Sequence, residues 1–205
     1  MLTLYKYLSI NDPECWPYRK ELIEDRTIYF NDPLKFNDPL DCNVSGWEEA
    51  KEYLFNCRIF CMSTESRNDN LMFAHYADEH RGFRLKFITD NSLSIGESSV
   101  LALGREVIYL DDIPEYSPEK AHEYYYIKSK SWEYESEYRI LLASDNIKTY
   151  FKGELVEVAL GYRFDLTHLP KLKSWVANGC HQNVTFVKAV SSKSKISFEY
   201  IKIDV

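Results

Sequence analysis

The stretch Gly82–Phe87 reads Gly-Phe-Arg-Leu-Lys-Phe and alternates apolar with polar side chains. Such alternation is typical of a β-strand that buries one of its faces. Residues 68–81, immediately before it, carry apolar side chains at helical spacing, and a glycine often follows the last turn of a helix. We therefore predict a helix that passes directly into a half-buried strand.

The same patterns predict the other elements of the chain. The predicted strands cover residues 2–7, 27–30, 58–62, 100–110 (as one or two strands), 138–143, 155–160, 184–190 and 196–203. The predicted helices cover residues 13–25, 46–56, 119–130 and 167–177. Strands outnumber helices and do not alternate with them regularly, which favours an α+β fold. We expect a single domain over residues 1–205, with a mostly antiparallel or split sheet and peripheral helices.

Composition argues against several classes of protein. The net charge of −7 and the pI of about 5.3 argue against a broad nucleic-acid-binding surface, which requires many basic side chains. No apolar run approaches the roughly 20 residues that span a bilayer, and the N-terminus lacks a signal-peptide pattern. The five cysteines include no Cys-x-x-Cys pair. We interpret them as reduced thiols and expect a cytoplasmic protein without membrane partners.

Residues 31–41 contain the tetrapeptide Asn-Asp-Pro-Leu twice, six residues apart. Asn and Asp before proline favour turns, because their side chains bond nearby backbone groups and proline fixes φ. We predict a stiff loop that Phe36 anchors between two turns. One interpretation is that this loop binds a cation or a ligand hydroxyl through Asn37, Asp38 and Asp41. The alternative is that these side chains only cap turns, which alone would explain why the loop is rich in Asn and Asp.

A second polar cluster lies at the end of the predicted helix over residues 68–81. On a helix His75 shares a face with Asp78 and with Glu79, because residues three and four apart are neighbours. With Asp38 these side chains would form a metal site, although zinc sites usually show a tighter ligand spacing. Alternatively, His75 packs in the core.

A third cluster contains three acidic residues at alternate positions. In a strand Glu133, Glu135 and Glu137 point to the same side, and their repulsion requires a nearby cation such as Arg139, which has the same parity. Trp132 directly precedes them. The acids therefore either border an aromatic cleft, where they would stabilise developing positive charge, or lie on a solvated edge strand.

Four motifs in sequence order resemble a bacterial and phage family that is named only as a domain of unknown function. The motifs are Leu4-Tyr5-Lys6-Tyr7, Tyr29 to Pro39, His75 to Phe83, and Trp132 to Arg139. The resemblance spans residues 4 to about 142. The family's name implies no activity.

The arrangement also resembles ADP-ribosyltransferases, especially the DNA-targeting toxins of toxin–antitoxin systems. This resemblance implies NAD as the cofactor, with Lys6 near its ribose or phosphates and Tyr29 or Phe36 stacked on nicotinamide. It also implies that Glu135 or Glu137 is catalytic, bonding a ribose hydroxyl and stabilising an oxocarbenium-like transition state. Lys6 stands where such enzymes usually have His or Arg. The residues assigned to cofactor binding are Lys6, Tyr29, Phe36, Asn37, Asp38, His75 and Tyr76.

Three functions follow from these patterns as alternatives. The first is an NAD-dependent, ADP-ribosyltransferase-like effector of a toxin or phage-defence system, which binds NAD or another nucleotide and needs no metal. The second is a metal-dependent hydrolase or nuclease that uses Asp38, Asp41, His75 and Asp78. The third is a non-catalytic interaction module in which the same motifs only build the core.

Overall fold

The structure is a computed structural model that describes residues 1–42, 57–90, 99–143 and 148–203. The predicted helix over residues 46–56 lies outside the described residues. Within the four described ranges, no helix has both the length and the apolar character needed to span a membrane.

The described residues form twelve strands and three α-helices. The strands are β1 (Leu2–Leu8), β2 (Thr27–Tyr29), β3 (Cys57–Ser63), β4 (Phe83–Thr89), β5 (Arg105–Glu106), β6 (Ile108–Leu110), β7 (Ile127–Ser129), β8 (Glu137–Ala143), β9 (Lys148–Tyr150), β10 (Glu154–Leu160), β11 (Thr185–Ser191) and β12 (Phe198–Lys202). The helices are α1 (Trp16–Glu24), α2 (Asp69–Tyr76) and α3 (Leu169–Asn178). Two 3₁₀ helices, Pro118–Tyr126 and Lys130–Glu135, precede β7 and β8.

Eight of the strands form one sheet in the order β12-β11-β10-β4-β1-β3-β8-β5. All neighbouring strands in this sheet are antiparallel, except that β10 and β11 are parallel. β2 with β9, and β6 with β7, form two separate two-stranded sheets. The predicted α+β fold with a largely antiparallel sheet is confirmed.

β4 contains the alternating stretch and lies near the centre of the eight-stranded sheet. Phe83, Leu85 and Phe87 are completely buried in the largest core cluster, as the alternation predicts. Arg84, on the opposite face, is buried as well, and its guanidinium lies 5.1 Å from the ring centroid of Tyr5. The strand is therefore covered on both faces at this point rather than on one.

Asp69, in the first turn of α2, fixes that helix against the sheet. Its carboxylate accepts hydrogen bonds from Tyr7 of β1, Arg84 of β4 and Tyr200 of β12. Three strands thus bond to one carboxylate, and hydrogen bonds to a buried charged group are among the stronger ones in proteins. The first turn of α2 is consequently held against the sheet.

Helix α2 ends earlier than predicted, because residues 78–80 adopt left-handed conformations with φ of 49°, 49° and 70°. The N–H of His80 donates to the carbonyl of Phe73 at 3.1 Å, which satisfies an acceptor at the end of the helix. His75 and Asp78 therefore do not share a helix face, and that prediction is wrong.

The predicted α-helix over residues 119–130 is instead the 3₁₀ helix Pro118–Tyr126 followed by β7. Tyr124, Tyr125 and Tyr126 are all buried. Three consecutive buried aromatic side chains cannot share the single apolar face of an amphipathic helix. Tertiary packing therefore decides the conformation of this segment rather than helix propensity.

The sheet is open along the boundary between β1 and β3. Among the described residues these two strands pair at one position, Tyr5 with Ser63. By contrast, β1 pairs with β4 at seven positions, and β3 pairs with β8 at seven. Beyond Tyr5 the two strands diverge, so the sheet is split over most of their length.

Candidate functional site

Three different groups bond to the edge of β3 that faces the split. Ser63 pairs with Tyr5 of β1. Two residues along, the carbonyl of Cys61 accepts a hydrogen bond of 2.6 Å from Nζ of Lys6. Two residues further, Ile59 forms two backbone hydrogen bonds of 2.9 Å with Asn31. The lysine side chain and the loop residue thus occupy backbone partners that a fully paired β1 would have taken.

A pocket of about 340 Å³ lies at this split. Its size falls within the range of small-molecule sites. Its lining combines four tyrosine or phenylalanine rings, one histidine, three lysines and three carboxylates. The lining residues are Tyr5, Lys6, Tyr7, Asn31, Lys35, Phe36, Asn37, Asp41, Cys61, Met62, Ser63, Met72, His75, Tyr76, Lys128, Glu135 and Glu137.

The two Asn-Asp-Pro-Leu repeats form the same local structure. Oδ1 of Asp32 accepts from the N–H of Leu34 at 3.0 Å, and Oδ1 of Asp38 accepts from the N–H of Leu40 at 2.9 Å. Each aspartate therefore caps a turn two residues ahead, as Asx turns do. Between the two caps, the loop brings Phe36 and the residue after it to the pocket.

The strand predicted through the three glutamates does not form. Residues 130–135 are 3₁₀-helical, Ser136 is left-handed with φ of 44° and ψ of 52°, and β8 begins at Glu137. Glu133 is exposed, whereas Glu135 and Glu137 are 2% and 5% exposed. The left-handed residue reverses the chain locally, so the second and third glutamates still reach the same pocket.

Lys128 of β7 is the cation at the centre of the acidic cluster. Its Nζ lies 2.5 Å from Oε2 of Glu135, 3.1 Å from Oε2 of Glu137 and 3.4 Å from Oδ2 of Asp41. The lysine side chain is 3% exposed. Three carboxylates would repel one another in so small a volume, and this ammonium group permits their assembly.

Arg139 is the second buried cation of the cluster, and it is completely buried. Its Nε donates to Oε1 of Glu137 at 2.8 Å, and its Nη2 donates to Oδ2 of Asp41 at 2.5 Å. Its Nη1 also donates to the carbonyl of Tyr125 at 2.8 Å. Since the guanidinium contacts two acids and a carbonyl, it ties β8 to the Asn-Asp-Pro loop and to the 3₁₀ helix before β7.

The two buried glutamates have widely separated pKa values. Burial, reinforced by the charge of Glu137 and opposed by Lys128, raises the pKa of Glu135 to about 7. Burial acts on Glu137 in the same direction, but Arg139 and Lys128 outweigh it and hold the pKa of that carboxyl well below its usual range. A pair of carboxylates with separated pKa values is the arrangement that acid–base and glycosidic chemistry uses.

The last turn of α2 and the loop complete the wall around Glu135. The hydroxyl of Tyr76 donates to Oε1 of Glu135, and Nδ2 of Asn37 donates to the Tyr76 oxygen at 3.4 Å. The ring of His75 lies 6.3 Å from that of Trp132. An aromatic and hydrogen-bonding rim therefore surrounds the carboxylate that is near half-protonation at neutral pH.

The structure brings together most of the residues that the sequence assigned to a site. Seven of them line the pocket, and they are Lys6, Phe36, Asn37, His75, Tyr76, Glu135 and Glu137. Two do not line it. Tyr29 lies on β2, with its ring 4.4 Å from that of Tyr18, and Asp38 caps a turn with one carboxylate oxygen.

The four residues proposed as metal ligands do not converge. Asp41 is ion-paired with Arg139 and Lys128, and Asp78 accepts a hydrogen bond from Asn11 outside the pocket. Across residues 1–42, 57–90, 99–143 and 148–203, no group of three His, Cys, Asp or Glu side chains is placed to hold a metal ion. The geometry therefore gives no support to the metal-dependent alternative.

Lys128 is one of the pocket residues that sequence reasoning missed. It lies in the segment predicted as a helix over residues 119–130, and its neighbours Ile127 and Ser129 give no sign that this lysine is buried. The sequence indicates a buried cation only indirectly, because acidic side chains that lie close together require a positive charge nearby. The sequence does not indicate which lysine supplies that charge.

Comparisons with known proteins give one finding. No curated protein and no solved structure matches the chain significantly. The match comes from a family model, and it covers the segment from α2 to β8, which includes both buried glutamates and Lys128. Over residues 72–140 the chain is similar to the family described as "Protein of unknown function (DUF2971)".

Proposed function

We propose that the pocket binds NAD and that the chain transfers the ADP-ribosyl group from it to an acceptor or to water. The observation that carries the proposal is the pair Glu135 and Glu137, which line one pocket with widely separated pKa values. Cleavage of a glycosidic bond uses one carboxylate to stabilise positive charge and another to transfer a proton. A role as a toxin or phage-defence effector rests only on the resemblance to such toxins.

In this proposal Glu137 remains negatively charged throughout the reaction. It stabilises the positive charge that develops on the ribose as the bond from C1 to the nicotinamide nitrogen breaks. Nicotinamide leaves with the bonding electrons. Glu135, whose pKa lies near 7, accepts the proton of the attacking hydroxyl as the new C–O bond forms.

Other residues of the lining provide recognition. Phe36 offers an aromatic face for nicotinamide, while Asn37 and Tyr76 offer hydrogen bonds to ribose hydroxyls. Lys6 offers an N–H group near the ribose or phosphates, and Lys35, exposed at the rim, supplies a positive charge for the phosphates. A volume of about 340 Å³ lies at the lower end of the range for ligand sites, so we place only the nicotinamide ribosyl half of NAD inside the pocket.

Release of nicotinamide is the direct test. The purified chain is incubated with NAD labelled in the nicotinamide ring, with and without cell extract, and free nicotinamide is measured. We expect release by the wild-type chain and loss of release in Glu137→Gln. Absence of both NAD binding and nicotinamide release, with and without extract, would overturn the proposal.

A second candidate function is a non-catalytic interaction module. Both carboxylate oxygens of Glu137 are already bonded to Arg139 and Lys128, an arrangement that also serves to stabilise a fold. Under this alternative Glu137→Gln lowers the free energy of unfolding but NAD has no measurable affinity for either protein. Calorimetric titration with NAD separates the two candidates.

A further inference from the structure

Lys6, which is half-buried, differs in its partners from Lys128, the buried lysine of the pocket. Its Nζ contacts the carbonyl oxygen of Cys61 at 2.6 Å and lies 4.5 Å from the ring centroid of Phe60. Neither group is a counter-ion, and in the described part of the chain no carboxylate lies within ion-pair distance of this amine. Lys128, by contrast, contacts three carboxylates.

This environment favours the neutral amine. Burial lowers the pKa of Lys6, and the nearby Cys61 and Glu137 only partly oppose that effect. A neutral amine that retains one N–H bond to a carbonyl has a free lone pair, which is the form of lysine that attacks carbonyl carbon. Because Lys6 lines the pocket, a bound ligand reaches it.

We propose that Lys6 forms an imine with a small anionic aldehyde, such as a sugar phosphate in its open-chain form. The amine nitrogen bonds to the carbonyl carbon, and the carbonyl oxygen leaves as water with the two amine protons. No electrons are exchanged, and no further reactant is needed. The reaction goes beyond the proposed transfer from NAD, since it requires neither NAD nor cleavage of a glycosidic bond.

The lining favours a polar, anionic aldehyde over an apolar one. Asn37 and Tyr76 provide a side-chain amide and a hydroxyl at the pocket wall, which suit ligand hydroxyl groups. Lys35 is exposed at the rim and supplies a positive charge for a phosphate. Glu135 lines the same pocket and is available to protonate the departing oxygen, because its pKa lies near 7.

Reductive trapping tests the proposal on the intact chain. Ribose 5-phosphate and sodium cyanoborohydride are added at pH 7, and the labelled lysine is located by peptide mass spectrometry. We expect labelling at Lys6 to be faster than at the exposed Lys20, because burial lowers the pKa of Lys6 and so raises the fraction of neutral amine. Equal or slower labelling at Lys6 would overturn the proposal.

Two variants serve as controls. Lys6→Arg should lose the fast label, whereas Lys86→Arg should retain it, since Lys86 is half-buried on the neighbouring β4 but does not line the pocket. The comparison of labelling at Lys6 and Lys20 in the wild-type protein tests the proposal even if a variant folds poorly. Nicotinamide release without preferential labelling of Lys6 would support the proposed function and overturn this inference. Preferential labelling of Lys6 without nicotinamide release would support this inference and overturn the proposed function.

Discussion

Glu135 and Glu137 bond the same ammonium group, Nζ of Lys128, at 2.5 and 3.1 Å. The residue between them, Ser136, is left-handed, so two residues that straddle the start of a strand converge instead of extending along it. Their environments separate their pKa values. The chemistry that we propose depends on this convergence, and so do the predictions below that concern the two glutamates.

Glu137→Gln should abolish nicotinamide release while lowering stability only moderately. The amide keeps the shape of the carboxylate but not its charge, so we expect a rate loss on the order of 10²–10³. The free energy of unfolding should fall by about 1–3 kcal/mol, because Arg139 and Lys128 lose a charged partner. Urea unfolding and a nicotinamide assay measure the two effects separately.

Glu133→Gln is the matched control for that variant, since Glu133 belongs to the same segment but is exposed. It should change neither rate nor stability measurably. Equal losses of activity in Glu133→Gln and Glu137→Gln would contradict a catalytic role for Glu137.

The effect of pH on stability should reveal the raised pKa of Glu135. Between its ordinary pKa of 4.5 and the folded value of about 7, the folded protein holds a proton that the unfolded chain has lost. The contribution of Glu135 to the free energy of unfolding therefore falls as pH rises through this window. The free energy of unfolding of the Glu135→Gln variant, relative to that of the wild type, should therefore rise by about 3 kcal/mol between pH 4.5 and 7.

Urea unfolding at several pH values measures this difference, with each variant compared to the wild type under identical conditions. The exposed Glu133→Gln variant should give a curve parallel to that of the wild type. A parallel curve for Glu135→Gln would contradict the raised pKa.

Arg139→Met should be strongly destabilising. The guanidinium is completely buried and bonds to Asp41 and Glu137, so its removal leaves these two buried carboxylates and Glu135 with Lys128 as their shared cation. We expect a loss of about 3–5 kcal/mol. Arg105→Met is the control, because Arg105 pairs with Arg139 in the sheet but is exposed. Equal effects in chemical denaturation would argue against a role for the buried charge cluster in stability.

Gly82→Ala should destabilise the protein by about 1–3 kcal/mol through overpacking. An added Cβ would lie 2.1 Å from the carbonyl oxygen of Leu8 and 2.9 Å from that of Ala77, and backbone atoms cannot move aside as a side-chain tip can. At Gly153 the nearest atom is a ring carbon of Phe151 at 3.0 Å. Gly153→Ala should therefore have the smaller effect on the thermal midpoint of unfolding.

Local patterns predicted the elements whose structure depends on neighbouring residues. The alternation in β4 and the Asx turns at Asp32 and Asp38 follow from side-chain parity and from proline geometry. The segments predicted incorrectly are those that long-range packing controls. Three consecutive buried tyrosines displace the predicted helix before β7, and the left-handed Ser136 interrupts the predicted acidic strand.

At the candidate site, the sequence identified the two glutamates but not the lysine that contacts both of them. Glu135 and Glu137 belong to a visible motif, whereas Lys128 has no local pattern that distinguishes it from a surface lysine. The split between β1 and β3 also has no signature in either strand, since it depends on Asn31 pairing with Ile59. Partners that are distant in sequence decide both features.

The pairing of Asn31 with the edge of β3 has a consequence for how the pocket could change in evolution. The edge of β3 at the split is occupied by the backbone of Asn31 and by the amine of Lys6, and most of the other lining side chains take no part in these contacts. Substitutions at the rim would then alter which molecule enters while the opening itself is kept. The opening of the sheet and the ligand preference of the pocket therefore depend on largely separate residues.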